Sequence, residues 1–381
     1  MLKQQKIFFD FLRFCIGSAK EIPDSLKEVD WKEIYAIAKK QALLGMLFYG
    51  IQRLPKELAP EQKLLMQWMV MAEQIRKQNI RLFLDSVKVC KNFENKGFAN
   101  CILKGQGNAL LYPDPYLRTP GDIDIYLSGG RKRIMKYVDQ LCPNQVMRYH
   151  HVDFPVMKTA IEVHFTPSYM FCPIHNRRMQ KWLEEVMGEQ CNHRVSLPDG
   201  YGEIHVPLVS FNVIYILSHL YRHIFTEGIG LRQLLDYYFV LVKWHTDLTN
   251  LTDSNKSFPQ MTQINTDLDT LRHELKYLGL WKFAQAVMYV LHEVFGLSED
   301  WMIAPMDERE GRFLLDEIMR GGNFGQYDDR MGSKIGESKM HRYFRMNLRN
   351  LRFVKHYPTE ALSEPLFRTW FAVWKKIHGM E

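Results

Sequence analysis

One stretch limits the folds open to this chain more than any other: Cys101 to Leu127, CILKGQGNALLYPDPYLRTPGDIDIYL. It opens on a short apolar run ending at Lys104-Gly105 and closes on Gly121-Asp122-Ile123-Asp124-Ile125. Strand side chains alternate between faces, so Asp122 and Asp124 share one face while Ile123 and Ile125 point into a core. Two carboxylates about 7 Å apart on a rigid face repel each other, and a divalent cation relieves the repulsion. The pattern points to a sheet that carries Mg²⁺-dependent phosphoryl- or nucleotidyl-transfer chemistry.

The strands sit between helical regions. Residues 1–96 read as helices: Ile7, Phe8, Phe11, Leu12 and Cys15 recur at three-to-four spacing, as do Leu64, Leu65, Trp68 and Met71. Asp30-Trp31-Lys32-Glu33 has the form of a capping box, and Asn95-Lys96-Gly97 stops the last of these helices. Residues 97–206 change character, with strands expected at 98–103, 122–127, 146–156 and 160–165 and a hairpin over 194–206. Residues 207–381 are helical again, with helices expected over 208–225, 231–244, 262–277, 281–295, 308–320, 339–354 and 366–378. The polar stretch 246–257 and the Gly-rich stretch 321–336 read as loops. The fold class is therefore α+β: a small mixed sheet with flanking helices, set between N-terminal and C-terminal helical regions.

Composition excludes several classes. Asp10 and Arg13 interrupt the first apolar run, which rules against a signal peptide. Val206 to Tyr221 is the nearest approach to a membrane span, and Ser210, Asn212, Ser218 and His219 break it. Six scattered cysteines suit a reduced, cytoplasmic chain better than a disulfide framework. The net charge of +7 is concentrated late: after Asp329 there is no Asp. Arg342, Arg345, Arg349 and Arg352 would line one helix face, suited either to a polyanion or to acidic residues of a partner.

Glu162 supplies a third acidic group. In Ile161-Glu162-Val163-His164 it shares a face with His164, and a strand placed beside 122–127 would bring three carboxylates together. Such a patch suits two Mg²⁺ ions, with Glu162 as ligand or as general base for an acceptor hydroxyl. Lys104-Gly105 lies at a strand-to-helix junction, where free N–H groups and a lysine attract phosphate. Gly105 and Gly107 permit close backbone approach, and Arg118 is a second phosphate clamp or an ion-pair partner of Asp122 or Asp114. His219 and His223 share a helix face, fit for substrate contact or for packing; Leu220 stands where a zinc protease needs Glu. Arg232 and Asp236 pair on another helix face or meet nucleotide. Cys172-x-x-His175 with Cys191-x-His193 is spaced too tightly for an ordinary zinc knot.

Leu103-Lys104-Gly105, then Arg118-Thr-Pro-Gly-Asp122-Ile-Asp124-Ile-Tyr-Leu127, then Ile161-Glu162-Val163-His164 together resemble the signature of the uncharacterised nucleotidyltransferases, a bacterial branch of the DNA polymerase β superfamily. The later block from His219 to His223 and Glu227 to Asp236 resembles that family's helical half. The resemblance implies a polymerase-β-like core, two Mg²⁺ ions and transfer of a nucleoside monophosphate from an NTP, ATP foremost, to an acceptor hydroxyl. It assigns metal binding and catalysis to Asp122, Asp124 and Glu162. Nucleotide contacts are expected of Lys104, Gly105, Arg118, His164, His223 and Arg232. Lys104-Gly105 stands where the superfamily carries a Gly-Ser pair. The other reading is a non-catalytic nucleotide- or protein-binding relative. A Glu162 turned away from the aspartates, or aspartates pinned in a salt-linked interior, would favour it.

Overall fold

The computed structural model describes residues 3–253, 267–330 and 338–377. In chain order the elements begin with α1 (Lys3–Ile16), α2 (Trp31–Lys40), α3 (Leu44–Ile51) and α4 (Gln62–Asn95). The strand-bearing segment follows: β1 (Asn100–Leu103), α5 (Gly105–Ala109), β2 (Ile123–Leu127), α6 (Gly130–Leu141), β3 (His151–Asp153), β4 (Ile161–His164), α7 (Pro173–Gln190), β5 (Arg194–Ser196) and β6 (Glu203–His205). The rest is helical: α8 (Val209–Thr226), α9 (Leu231–Asp253), α10 (Leu268–Tyr277), α11 (Trp281–Phe295), α12 (Glu308–Gly321), α13 (Lys339–Val354) and α14 (Pro358–Ile377). None of these helices is long and apolar enough to cross a membrane.

Two compact units divide these elements. The first comprises Met1–Lys77, Leu111–Thr119 and Thr226–Arg349. Its core is helix on helix: α1 packs on α3 and α11, and α11 on α12. Phe8, Phe11 and Leu12 are fully buried, as the three-to-four spacing requires. Asp30 caps α2, accepting from the N–H groups of Lys32 and Glu33. The capping box closes differently from its sequence form, because Gln4 rather than Glu33 holds the Asp30 N–H, at 3.0 Å.

The second unit comprises Gln78–Leu110, Pro120–Phe225 and Asn350–Glu381. Its four-stranded mixed sheet runs in the order β1-β2-β4-β3, with β2 and β4 parallel and both edges antiparallel. Alternation makes one face apolar: Ile123, Ile125, Leu127, Ile161, Val163 and Val152 are all buried. The register places Leu103, Asp124, Glu162 and Asp153 in one row across the sheet, and Cys101, Tyr126, His164 and His151 in the next. Both rows lie on the opposite face from the isoleucines, since every second residue shares a face. A separate two-stranded sheet pairs β5 with β6.

Several elements differ from the sequence reading. The strand expected over 146–156 shrinks to His151–Asp153, with Met147 making one isolated bridge to Val152. Helix α7 was not expected; its buried apolar residues, Met179, Trp182, Leu183 and Met187, mark a face only from Met179 onward. The supposed loop 246–257 continues α9 as far as Asp253; its remainder lies outside the described residues. Helix α14, expected from 366, starts instead at Pro358 and carries Pro365 inside it. Residues 262–266, 331–337 and His378 also lie outside the described residues.

The basic helix is corrected more sharply. Arg349 is buried with its Nε 3.6 Å from Asp328, and Arg345 Nη1 donates to the Arg330 carbonyl at 2.7 Å. The Arg352 guanidinium lies over the Phe353 ring. Met340, Phe344, Leu348 and Leu351 are exposed large apolar residues of α13 instead. The arginines are therefore not a continuous solvent-facing phosphate path; the Arg342 side chain lies outside the described residues.

Candidate active site

Strand β1 ends at Leu103, and the backbone then turns sharply. Lys104 takes φ 52°, ψ −127°, a conformation L-residues avoid, and Gly105 follows at φ +31°. Such strain costs on the order of 1–3 kcal/mol and persists only where the surroundings impose it. The imposing contacts are visible: the Lys104 Nζ lies 3.1 Å from Asp124 Oδ2 and 3.3 Å from His219 Nε2. The helix that follows, α5, is five residues long, too short for a large dipole. A Cβ on Gly107 would sit 2.9 Å from Val206, so this glycine serves packing rather than ligand approach.

Asp124 sits at the centre and is 6% exposed. His164 Nε2 donates to its Oδ1 at 2.9 Å, and Lys104 holds its other oxygen. Burial pushes this carboxyl up, but Lys104 and His164 outweigh burial and hold it well below the usual carboxylate range. His164 is raised in turn: burial works against its charge, and the bonds to Asp124 and Glu162 more than offset it. Glu162 faces Asp124 from the neighbouring strand with its side chain 28% exposed, its Oε2 3.6 Å from His164 Nε2 and 3.3 Å from His151 Nδ1. Burial raises it, the His164 bond lowers it, and the net direction is down.

Asp122, just ahead of β2, reaches solvent. Repulsion from Asp124 is the main force that pushes its carboxyl up to about 6. The sign gives a test. A carboxyl bound more tightly to its proton in the folded protein costs stability as pH rises between 3.8 and about 6. Metal-free Asp122→Asn protein should therefore melt about 1–2 °C above wild type near neutral pH, the gap closing as the pH falls below 4. Thermal melts in EDTA across that range check it, and a gap that is absent or reversed at neutral pH contradicts the crowding described here.

Lys104, Asp122, Asp124, Glu162 and His164 thus converge in the second unit. His223 joins less directly: Arg222 Nη2 lies 3.2 Å from both His219 Nδ1 and His223 Nε2. Arg118 and Arg232 belong to the first unit. There Arg118 makes a bidentate pair with Asp236, Nε to Oδ1 at 2.8 Å and Nη2 to Oδ2 at 2.7 Å. Tyr112 donates to the same carboxylate at 2.7 Å, and Arg232 Nη1 stands 3.9 Å away. The expected partners of Arg118 were Asp122 or Asp114; Asp114 instead pairs with Arg76.

Sequence reasoning passed over His150, His151 and Asp153. His151 and Asp153 share the polar sheet face with Glu162, a placement that period-two alternation in a correctly bounded β3 would have given. The cysteine spacings resolve differently as well. Cys172 and His175 gather around Glu360, and Cys191 is not among the residues of that group. Glu360 accepts from the Phe171 and Cys172 N–H groups, so it closes the N-terminal end of α7.

The polar face therefore carries three carboxylates, a lysine and histidines on strands whose order and register are fixed. Neither the curated proteins nor the solved structures searched give a match. The family model described as "Uncharacterised nucleotidyltransferase" matches residues 27–296, a span that contains every strand and well over half the chain. On that span the chain belongs to the uncharacterised nucleotidyltransferase family.

Proposed function

We propose that this protein transfers a nucleoside monophosphate from an NTP, ATP foremost, to an acceptor hydroxyl, through a polymerase-β-like catalytic core within 97–206 and the carboxylates Asp122, Asp124 and Glu162. The observation that carries the reading is the pairing of Asp124 with Glu162 on adjacent parallel strands, with Asp122 beside them. The carboxylates fit a divalent cation: Asp124 and Glu162 each offer an oxygen, within 4.8 Å of one another and of a His164 nitrogen. Asp122 adds a solvent-reaching oxygen donor whose raised pKa reports uncompensated negative charge. Bound there, Mg²⁺ would acidify the acceptor hydroxyl and offset charge on the triphosphate.

The chain's own groups do the rest. His164 fixes the rotamer of Asp124, so the carboxylate needs no reorganisation. Glu162, part-exposed and held below the ordinary carboxylate range, takes the proton of the acceptor hydroxyl. The Lys104 ammonium, held beside the carboxylates by its contact with Asp124, meets a phosphate oxygen. Gly105, adjoining it, leaves that approach open.

One observation favours the second reading, a nucleotide- or protein-binding relative without turnover. Both oxygens of the buried Asp124 are already engaged, one by the Lys104 ammonium and the other by His164 Nε2. Calorimetric titration with ATP and Mg²⁺ beside a pyrophosphate-release assay separates the two. The transfer reading expects binding together with release; binding alone sinks it in favour of the second.

A further inference from the structure

The transfer reading uses the carboxylates of the polar sheet face and leaves its imidazoles without a role beyond His164. His151 Nδ1 lies 3.2 Å from His150 Nε2 and 3.3 Å from Glu162 Oε2. His164 Nε2 lies 3.6 Å from that same glutamate oxygen. Donor atoms of His150, His151 and His164 all fall within 4.8 Å of one another, and so do those of His151, Asp153 and Glu162. Four ligands about 2.0–2.1 Å from a tetrahedral ion stand about 3.4 Å apart, close to the 3.2, 3.3 and 3.6 Å separations of His150–His151, His151–Glu162 and His164–Glu162.

These histidines are not ordinary packed residues. They are 4%, 5% and 1% exposed, and His150 Nδ1, His151 Nε2 and His164 Nδ1 have no hydrogen-bond partner among the described residues. Ring centroids 4.4 Å apart for His150 and His151, and 5.1 Å from each to His164, crowd three polar rings into one buried spot. Each ring thus has one nitrogen facing the cluster and one without a partner, more buried polar atoms than the described residues satisfy, which is unfavourable for a patch that only packs. Glu162 lies on the rim, part-exposed, and gives an ion a route in.

We propose that His150, His151, His164 and Glu162 form a nitrogen-rich centre that holds a divalent transition-metal ion of the Zn²⁺ type in preference to Mg²⁺. Imidazole suits Zn²⁺ and its neighbours, whereas Mg²⁺ takes oxygen ligands and gives up water reluctantly. The centre shares Glu162 and His164 with the transfer reading, rests on that site and deepens the account of it, but it does not need turnover to exist.

The test uses the metal-free full-length protein, with Zn²⁺ by equilibrium dialysis and Co²⁺ by visible absorption, both in excess Mg²⁺. One equivalent should bind, with the strong Co²⁺ bands of a low-coordinate nitrogen-containing site. His150→Gln and His151→Gln should each weaken Zn²⁺ by more than the roughly 10–100-fold typical of losing an outer partner. His175→Gln, in the separate cluster around Glu360, should leave affinity unchanged. If a glutamine variant does not fold, nitrogen couplings from ¹⁵N-histidine in the Mn²⁺-loaded wild type report the same ligands.

Absence of a bound equivalent, a pale six-coordinate oxygen spectrum, or wild-type affinity in the His150 and His151 variants would overturn the centre. Zn²⁺ binding without pyrophosphate release drops the transfer reading and keeps the centre. Release without Zn²⁺ binding does the reverse.

Discussion

Asp122→Asn protein should lose pyrophosphate release by a factor on the order of 10³ or more while remaining folded and, without metal, slightly more stable than wild type. The reasoning joins function to strain. Asp122 is crowded by Asp124 and raised to about 6, so the apo fold tolerates this charge rather than benefits from it. Asp124→Ala should behave differently. It too abolishes turnover, but it strips the partner from the half-buried Lys104 and from the buried His164. Leaving the lysine charge uncompensated and the imidazole N–H without its acceptor costs about 3–5 kcal/mol, so this variant should melt far below wild type. Single-turnover assays beside urea melts check the pair, and equal stability losses in both variants would contradict the division of labour.

The second large effect lies in the first unit. Arg118 is 4% exposed and Asp236 6%, joined by two short parallel hydrogen bonds. Asp236→Leu should destabilise the protein by about 3–5 kcal/mol, since it strands a buried guanidinium. Adding Arg118→Met should restore most of that loss, because an apolar pair of similar volume replaces an ion pair that was expensive to desolvate. The double variant also decides whether Arg118 holds nucleotide. With both of its forks committed to Asp236, we expect it to keep wild-type ATP affinity; a stable double variant with weakened ATP binding would make Arg118 a phosphate contact.

Much of the site was legible because period-two alternation is a local property. Ile123 and Ile125 against Asp122 and Asp124, and Ile161 and Val163 against Glu162 and His164, fix faces without any knowledge of the neighbours. Pairing is not local, and only the structure puts Glu162 opposite Asp124. The same limit explains Arg118. Its partner is 118 residues away, and nothing near it in sequence marks Asp236 over Asp114 or Asp122. Gly107 was misread for a related reason: a glycine needed against Val206 looks in sequence like one needed for a ligand. His150, His151 and Asp153 were missed because β3 is three residues long, too short to display its own period.

The most direct measurement incubates wild-type and Asp122→Asn protein with each α-labelled NTP, Mg²⁺ and a cell extract, then follows the label. The account predicts that wild type moves label from at least one NTP onto an acceptor with stoichiometric pyrophosphate and that the variant moves none. Equal labelling by both proteins would contradict it.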